Sequence, residues 1–237
     1  LFVTIVFHNT LLNSFSYDDK VAIVYNQKNL DDPGNLATLV TKDYFSISKE
    51  ATYRPLVTLS YFMDQHVWGL NPFGFHLTNL LLHLANVLLI YSLFQRLCRS
   101  DLIAIASTAL YSVQPVLTEA INSVGFREDL LAAMFVLLSA LLYIRGNLAI
   151  SILSYGVALL SKESAFPLPL ILIAYDYLYH RGLFPKRYLW YFLISTLYLY
   201  LRFFLLYNPA EDTLINKVPL LMRLASIPVA IFYNIKL

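Results

Sequence analysis

The sequence predicts an all-α integral membrane protein: a polytopic helical bundle whose long first external loop carries juxtamembrane helices. Three observations predict it. Hydrophobic residues make up 58% of the 237 residues and charged residues only 14%, whereas soluble domains hold about 45–50% and about 25%. Mean hydropathy is +0.60. The apolar residues are also gathered into runs that approach the roughly 20 helical residues needed to cross a hydrocarbon core of about 30 Å.

Taken in order, the candidate spans cover about 1–15, 75–95, 102–122, 129–145, 148–161, 164–180, 187–207 and 220–237. Leu1 and Leu237 both lie inside apolar runs, so the sequence is expected to be a fragment with its first span truncated, rather than one opening on a cleaved signal peptide. The short span 148–161 is expected inside the bundle or stopping short of one face. With the N-terminus placed in the cytoplasm, Arg96, Arg99, Arg145, Arg181, Lys186 and Arg187 all fall on the cytoplasmic side, as the positive-inside rule demands. Tyr175, Tyr177 and Tyr179 read as an interfacial belt.

Residues 16–74 are the one long segment that does not span. Asp31-Asp32-Pro33-Gly34-Asn35 carries turn chemistry. Leu36, Leu39, Val40, Asp43 and Tyr44 predict one short amphipathic helix. Pro55 followed by Leu56, Leu59, Met63 and Val67 predicts a second, with proline in its first turn. Both are expected to lie along the membrane surface, with Asp64 to His66 on the polar side of the second.

Several classes are excluded. A net charge of +2 gives no basic surface for nucleic acid. Cys98 is the sole cysteine, which rules out an internal disulfide and a cysteine zinc cluster. No P-loop, Gly-x-Gly-x-x-Gly, Gly-x-Ser-x-Gly or His-Glu-x-x-His is present, so ATP hydrolysis and zinc proteolysis are unsupported.

An ionisable residue costs about 2.5–3.5 kcal/mol at mid-membrane, so its position is informative. Asp18 and Asp19 follow the first span, Arg54 lies in the long loop, and His76 and His83 head the second span. Glu119, Arg127, Glu128 and Asp129 surround the loop between spans three and four, and Lys162 and Glu163 follow span five. All sit at the external ends of their helices, so acids and bases from separate segments are expected to converge at one depth. Each has a plainer reading. Asp18 and Asp19 can be a solvated loop start, His76 and His83 can be packing residues rather than metal ligands, and Arg127 and Lys162 can snorkel to headgroups. Glu119 needs a cationic partner or water.

Sugar transfer from a polyprenyl phosphate to a hydroxyl would use such a convergence. The leaving phosphate is already a stable anion and needs a cation rather than a proton, while the attacking hydroxyl needs one carboxylate as general base. A paired carboxylate is compatible with a divalent cation, but phosphate-stabilising Arg and Lys make one dispensable; no metal site is assigned.

Tyr17-Asp18-Asp19, Tyr53-Arg54-Pro55-Leu56, Leu70-Asn71-Pro72 leading to Phe75-His76-Leu77-Thr78-Asn79, Gln114-Pro115 through Glu119, Gly125-Phe126-Arg127-Glu128-Asp129 and Ser161-Lys162-Glu163 occur in register. Together they resemble the transmembrane and tetratricopeptide repeat-containing branch of the GT-C glycosyltransferases, near the protein O-mannosyltransferases. The resemblance runs along essentially the whole chain. It implies a GT-C bundle over 1–237, with its acidic first external loop at 16–74 and tetratricopeptide repeats beyond Leu237. It implies a polyprenyl- or dolichyl-phosphate sugar donor, a protein Ser/Thr acceptor and inversion at the anomeric carbon, with mannose as the sugar. Asp18 matches the general base, with Asp19 close behind; Arg127, Lys162 and Arg54 match donor-phosphate contacts. Glu119, His76, Glu128, Asp129, Glu163 and His83 are placed around the pocket. The implied location is a bacterial inner membrane or the endoplasmic reticulum membrane, with the site external or lumenal. Gln114-Pro115 and Phe126-Arg127 depart from the family's usual His-Pro and Gly-Arg, which points to a divergent member. The alternative is a non-catalytic membrane anchor for a repeat domain; a transporter would instead carry its polar residues at mid-membrane.

Overall fold

The structure, a computed structural model, describes residues 2–49, 52–179 and 185–202, and every regular element among them is helical. The chain begins with α1 (Phe2–Val6) and a 3-10 turn at His8–Leu12, and leaves helical geometry at Asn13. The predicted span 1–15 is therefore not one continuous helix. Thr10, which is fully buried, donates its hydroxyl to the side chain of Asn122, and that tether holds the 3-10 turn against the 117–122 segment.

The 16–74 segment is a run of short helices: α2 (Tyr17–Asp19) continuing into a π-turn at Lys20–Val24, α3 (Gln27–Leu30), a 3-10 helix at Pro33–Val40, α4 (Tyr44–Ser48) and α5 (Pro55–Trp68). The predicted helix around 36–44 is thus two pieces. Asp32 accepts from the Gly34 N–H at 2.9 Å and tightens the first piece into 3-10 geometry. α5 begins on Pro55 as its sequence requires, but it does not lie along a surface with Asp64 and Gln65 outward. Val57, Tyr61, Asp64 and Gln65 are all buried, because α5 is wedged between the 27–40 segment and the bundle helices α6 and α9.

α6 (Pro72–Cys98) follows a corner made by Asn71, whose side chain accepts from the Phe73 N–H, with Pro72 at the first helical position. Gly74 is obligatory at that corner: a Cβ there would fall 2.0 Å from the Trp68 ring. At 27 residues, α6 is the one helix among the described residues long and apolar enough to cross a membrane. The next predicted span, 102–122, is broken. α7 (Asp101–Ser112), capped by Ser100, stops before Gln114-Pro115, and α8 (Leu117–Asn122) resumes after it, because proline disfavours helical geometry in the residue before it.

After a 3-10 turn at Val124–Phe126 come α9 (Arg127–Ile144), α10 (Leu148–Leu159), a 3-10 turn at Glu163–Ala165, α11 (Leu168–Leu178) and α12 (Pro185–Tyr200). These four helices lie within the runs 129–145, 148–161, 164–180 and 187–207 or overlap them; the run 220–237 lies outside the described residues. α9 is the hub, packed against α6 on one side and α10 on the other, with α12 behind α10. The core is rich in tyrosine, Tyr44, Tyr61, Tyr155 and Tyr191 being almost wholly enclosed. Large apolar side chains on α7, α11 and α12 face outward, among them Leu102, Leu110, Leu170, Leu189 and Leu193.

Candidate functional site

The first turn of α9 and the five residues before it are where separate segments meet. Asp19, fully buried, reaches across from the start of the long loop. Its Oδ1 accepts from the Gly125 N–H at 2.6 Å and the Ser123 hydroxyl at 3.0 Å, while Oδ2 accepts from the Ser16 N–H at 3.0 Å. The backbone at Gly125 makes this approach close: a Cβ there would sit 3.2 Å from Asp19 Oδ1 and 3.3 Å from Asp18 Cβ. Clamping Asp19 inward leaves Asp18 exposed. Beside it Tyr17 is 91% exposed and carries a left-handed φ of 33°, a strained value for a residue with a Cβ. A polar cavity of about 410 Å³ lies alongside, lined by Asn13, Ser14, Ser16, Glu119, Asn122 and Ser123. Glu119 takes the second of its two sequence-level options: it is exposed at this cavity.

One residue after the turn, Arg127 points the other way, into the protein, and is completely enclosed. Its Nη2 pairs with Asp64 at 2.6 Å and donates to the Phe75 carbonyl, Nε donates to Asn79, and Nη1 donates to the Ser60 hydroxyl at 3.1 Å. The guanidinium also lies over the Tyr61 ring at 5.1 Å. Its hydrogen-bond and ion-pair partners all lie within the protein, so in this structure Arg127 forms a cross-brace between α5, α6 and α9. The snorkelling alternative fails for the same reason.

Glu128, next along, faces a second ionic cluster. Arg54 Nη1 lies 2.8 Å from Glu128 Oε1, and Lys162 Nζ lies 3.5 Å from the same oxygen and 2.7 Å from both oxygens of Asp129. Burial pushes the Glu128 carboxyl above the usual carboxylate range, against the pull of Arg54 and Lys162. The side chains of Arg54 and Lys162 remain 18% and 23% exposed, so both cations can be reached from outside. Glu163 pairs with Arg202 at 3.2 Å beside this cluster. Burial pushes its carboxyl up, but hydrogen bonding from its own backbone and from Arg202 outweighs that and holds it below the usual range.

His76 and His83 are wholly buried on α6. His83 Nε2 lies 3.2 Å from the Ser112 carbonyl, and the ring packs edge-on to Phe7. Among the described residues no group of His, Cys, Asp and Glu could hold a metal ion. Asp64, Asn79 and Asn86 are the residues that sequence reasoning passed over. Asn79 donates to the carbonyls of Ala120 and Ser123, and Asn86 donates to that of Leu130. A signal for the two asparagines existed: 76, 79, 83 and 86 recur at helical spacing along one face of an otherwise apolar helix, and all four are buried.

The chain is similar to Protein O-mannosyl-transferase Tmtc1 of Drosophila melanogaster, with 32% identity over 68% of this chain and 20% of that protein. It is similar to Protein O-mannosyl-transferase TMTC2 of Homo sapiens, with 31% identity over 73% of this chain and 23% of that protein, and to human TMTC3, with 29% identity over 76% and 21%. The chain thus spans about a fifth of the length of the curated relatives it matches. No family model matches the chain, and no solved structure matches it.

Proposed function

We propose, from the premise that this chain is TMTC-like, that it is the sugar-transfer part of a protein O-mannosyltransferase working on a lipid-linked donor. The observation that carries the proposal is the folding of the Asp18-Asp19 loop onto Ser123–Gly125, a segment that ends three residues before Glu128, whose carboxylate holds Arg54 and Lys162. The outward apolar faces of α7, α11 and α12 support a polytopic GT-C bundle in lipid, since patches of that size are uncommon on soluble monomers.

In this reading Asp18 takes the proton of an acceptor Ser or Thr hydroxyl. That oxygen attacks the anomeric carbon from the face opposite the phosphate, the carbon–oxygen bond to phosphate breaks, and configuration inverts. Arg54 and Lys162 stabilise the departing polyprenyl or dolichyl phosphate. To do so they turn from Glu128 and Asp129, and a Glu128 carboxyl already displaced toward protonation gives up its cations at lower cost. Asp19 holds the loop, Arg127 holds the three helices that carry the site, and Glu119 lines the cavity beside Asp18. The donor sugar is mannose, and the site faces the external or lumenal side.

The test is transfer from polyprenyl-phosphate mannose to Ser/Thr peptides by the full-length protein. Asp18→Asn is expected to lower kcat by about 10²–10⁴-fold, the usual worth of a general base. Because the Asp18 side chain is exposed, folding is spared. Full activity in Asp18→Asn sinks the mechanism. The rival reading, a non-catalytic membrane anchor, draws on one observation: Arg54–Glu128 and Lys162–Asp129 are complete ion pairs without any ligand. It predicts no transfer by the wild-type protein and no effect of Arg54→Gln or Lys162→Gln on donor binding.

A further inference from the structure

The polar cavity beside Asp18 differs in kind from the ion cluster at the start of α9. Its volume of about 410 Å³ falls within the range of small-molecule sites, and it is lined by Asn13, Ser14, Ser16, Glu119, Asn122 and Ser123. Each of the six keeps surface open to a ligand: Ser14, Ser16 and Glu119 are exposed, and Asn13, Asn122 and Ser123 are half-buried. We propose, resting on the transfer reading, that this cavity seats the sugar of the lipid-linked donor, with the Glu119 carboxylate accepting from two neighbouring sugar hydroxyls.

The lining selects its occupant. The Ser123 and Ser16 hydroxyls direct their protons to Asp19, at 3.0 and 3.4 Å, so each has only oxygen lone pairs left to offer a ligand. The side chain of Glu119 has no cation or hydrogen-bond donor among the described residues, and its two oxygens add further acceptors. Donors come from Asn13 and from Asn122, whose amide gives one end to Thr10 and keeps the other. Such a lining suits a neutral ligand that brings several O–H donors around one ring, and a sugar is that ligand. A phosphate diester brings no donor, and no Lys, Arg or His lines the cavity to balance its charge. A lipid chain would strip water from every polar group and return no hydrogen bond. A peptide spaces its N–H groups along an extended strand rather than around a ring. A metal ion lacks a ligand set, since no group of His, Cys, Asp and Glu that could hold one exists among the described residues.

Position supports the same occupant. Ser16 stands two residues before Asp18, and Ser123 two residues before Gly125, where an added Cβ would lie 3.3 Å from Asp18 Cβ. The cavity therefore adjoins the general base. The Ser123 N–H donates to the Glu119 carbonyl at 2.9 Å, so these two lining residues stand one helical turn apart on the same wall. Three residues beyond Gly125, Glu128 holds Arg54 and Lys162. From 123 to 128 the chain thus runs from the acceptor-rich cavity, past Asp18, to the cations. A donor laid along it has its sugar and its phosphate each beside groups of matching chemistry.

Donor binding is measured apart from transfer, with the full-length protein in lipid nanodiscs and no acceptor present. The probes are radiolabelled polyprenyl-phosphate mannose, its monodeoxy analogues, and polyprenyl phosphate without sugar. Glu119→Ala is expected to raise Kd for the mannosyl donor at least about tenfold and to leave that for polyprenyl phosphate unchanged; Asn13→Ala is expected to raise the first about threefold. Because Glu119 is exposed, helicity by circular dichroism should not change. In the wild type at least one deoxy donor binds about tenfold more weakly, and in Glu119→Ala that same analogue loses nothing further, the non-additivity of a direct contact. Equal weakening of the mannosyl donor and bare polyprenyl phosphate overturns the inference, and so does additivity with every deoxy analogue. A raised KM for peptide with donor affinity intact overturns it in favour of the acceptor. Wild-type affinity that falls in EDTA to the level of Glu119→Ala overturns it in favour of a bound cation. If the donor binds as expected and no transfer occurs, the sugar site stands and the transfer reading falls. If transfer depends on Asp18 while Glu119→Ala binds donor normally, the sugar site falls alone. A wild type that binds no mannosyl donor overturns both.

Discussion

At its first turn α9 is gripped by charges, whereas from Ser139 onward it is held by neutral hydroxyl groups. The charged grip consists of Arg127 on Asp64 and Glu128 on Arg54 and Lys162. Farther along, Ser139 and Ser151 exchange hydroxyl-to-carbonyl bonds of 2.7 and 2.6 Å. The Ser151 hydroxyl meets that of Tyr191 at 2.6 Å, and Tyr155 meets Ser195 at 2.6 Å. Even the buried acid there, Asp176, is held by the phenols of Tyr143 and Tyr188, with no cation paired to it among the described residues. The difference teaches where function can sit. Hydroxyl pairs are inexpensive to enclose and weak to lose, which suits helix packing in an apolar medium. Ion pairs are expensive to enclose, so a cluster of them with partly exposed cations marks the end of the bundle where a charged ligand can exchange with an internal partner.

The sharpest way to break this contrast is at Arg127. Arg127→Met leaves the Asp64 carboxylate buried without its cation and is expected to cost roughly 3–5 kcal/mol, read as a large fall in thermal midpoint; Arg127→Met with Asp64→Leu recovers most of it. A double variant as unstable as the single one would mean that the charges are not what makes the hub brittle. Next in size, Gly125→Ala forces a methyl against Asp19 and is expected to destabilise by about 1–3 kcal/mol. Its effect should be non-additive with Asp19→Asn, since both loosen one clamp.

A third prediction concerns pH. The folded-state pKa of Glu128 is raised, so the folded protein holds this proton more tightly than the unfolded chain does. Both states are protonated at low pH. As pH climbs from the ordinary carboxylate range through the raised folded value, a destabilising contribution appears, and it is complete above that value. Glu128→Gln is expected to flatten this part of the stability profile; an unchanged profile would assign the dependence to another group. At the small end, Tyr155→Phe is expected to cost about 0.6 kcal/mol, the ordinary worth of one interhelical hydroxyl bond. A loss as large as that of Arg127→Met would erase the distinction between the charged end of α9 and the hydroxyl-held packing of α10 against α12.

The residues differ in how far their roles could be read in advance. The helices from 72 onward were legible because apolar runs and caps are local: Asn71-Pro72 opens α6, and Gln114-Pro115 is the local reason that α7 ends where it does. The ion cluster of Glu128, Asp129 and Lys162 with Arg54 draws on residues that stand at the ends of apolar runs, which is where sequence reasoning looked for charge. Asp64 was misread because amphipathic spacing tells which residues share a helix face but not what that face meets. The partner that Arg127 takes was equally hidden, for it lies 63 positions earlier.

By itself the sequence determined the helical character of the chain, the place of the long segment between the first apolar run and α6, and the helix ends at which charge collects. All of these follow from the energetic preference of apolar side chains and paired backbone groups within one stretch of chain. Only the tertiary structure decided which charges cancel within the protein and which stay reachable. Electrostatic pairing depends on distances of a few ångströms between segments that the order of residues leaves far apart.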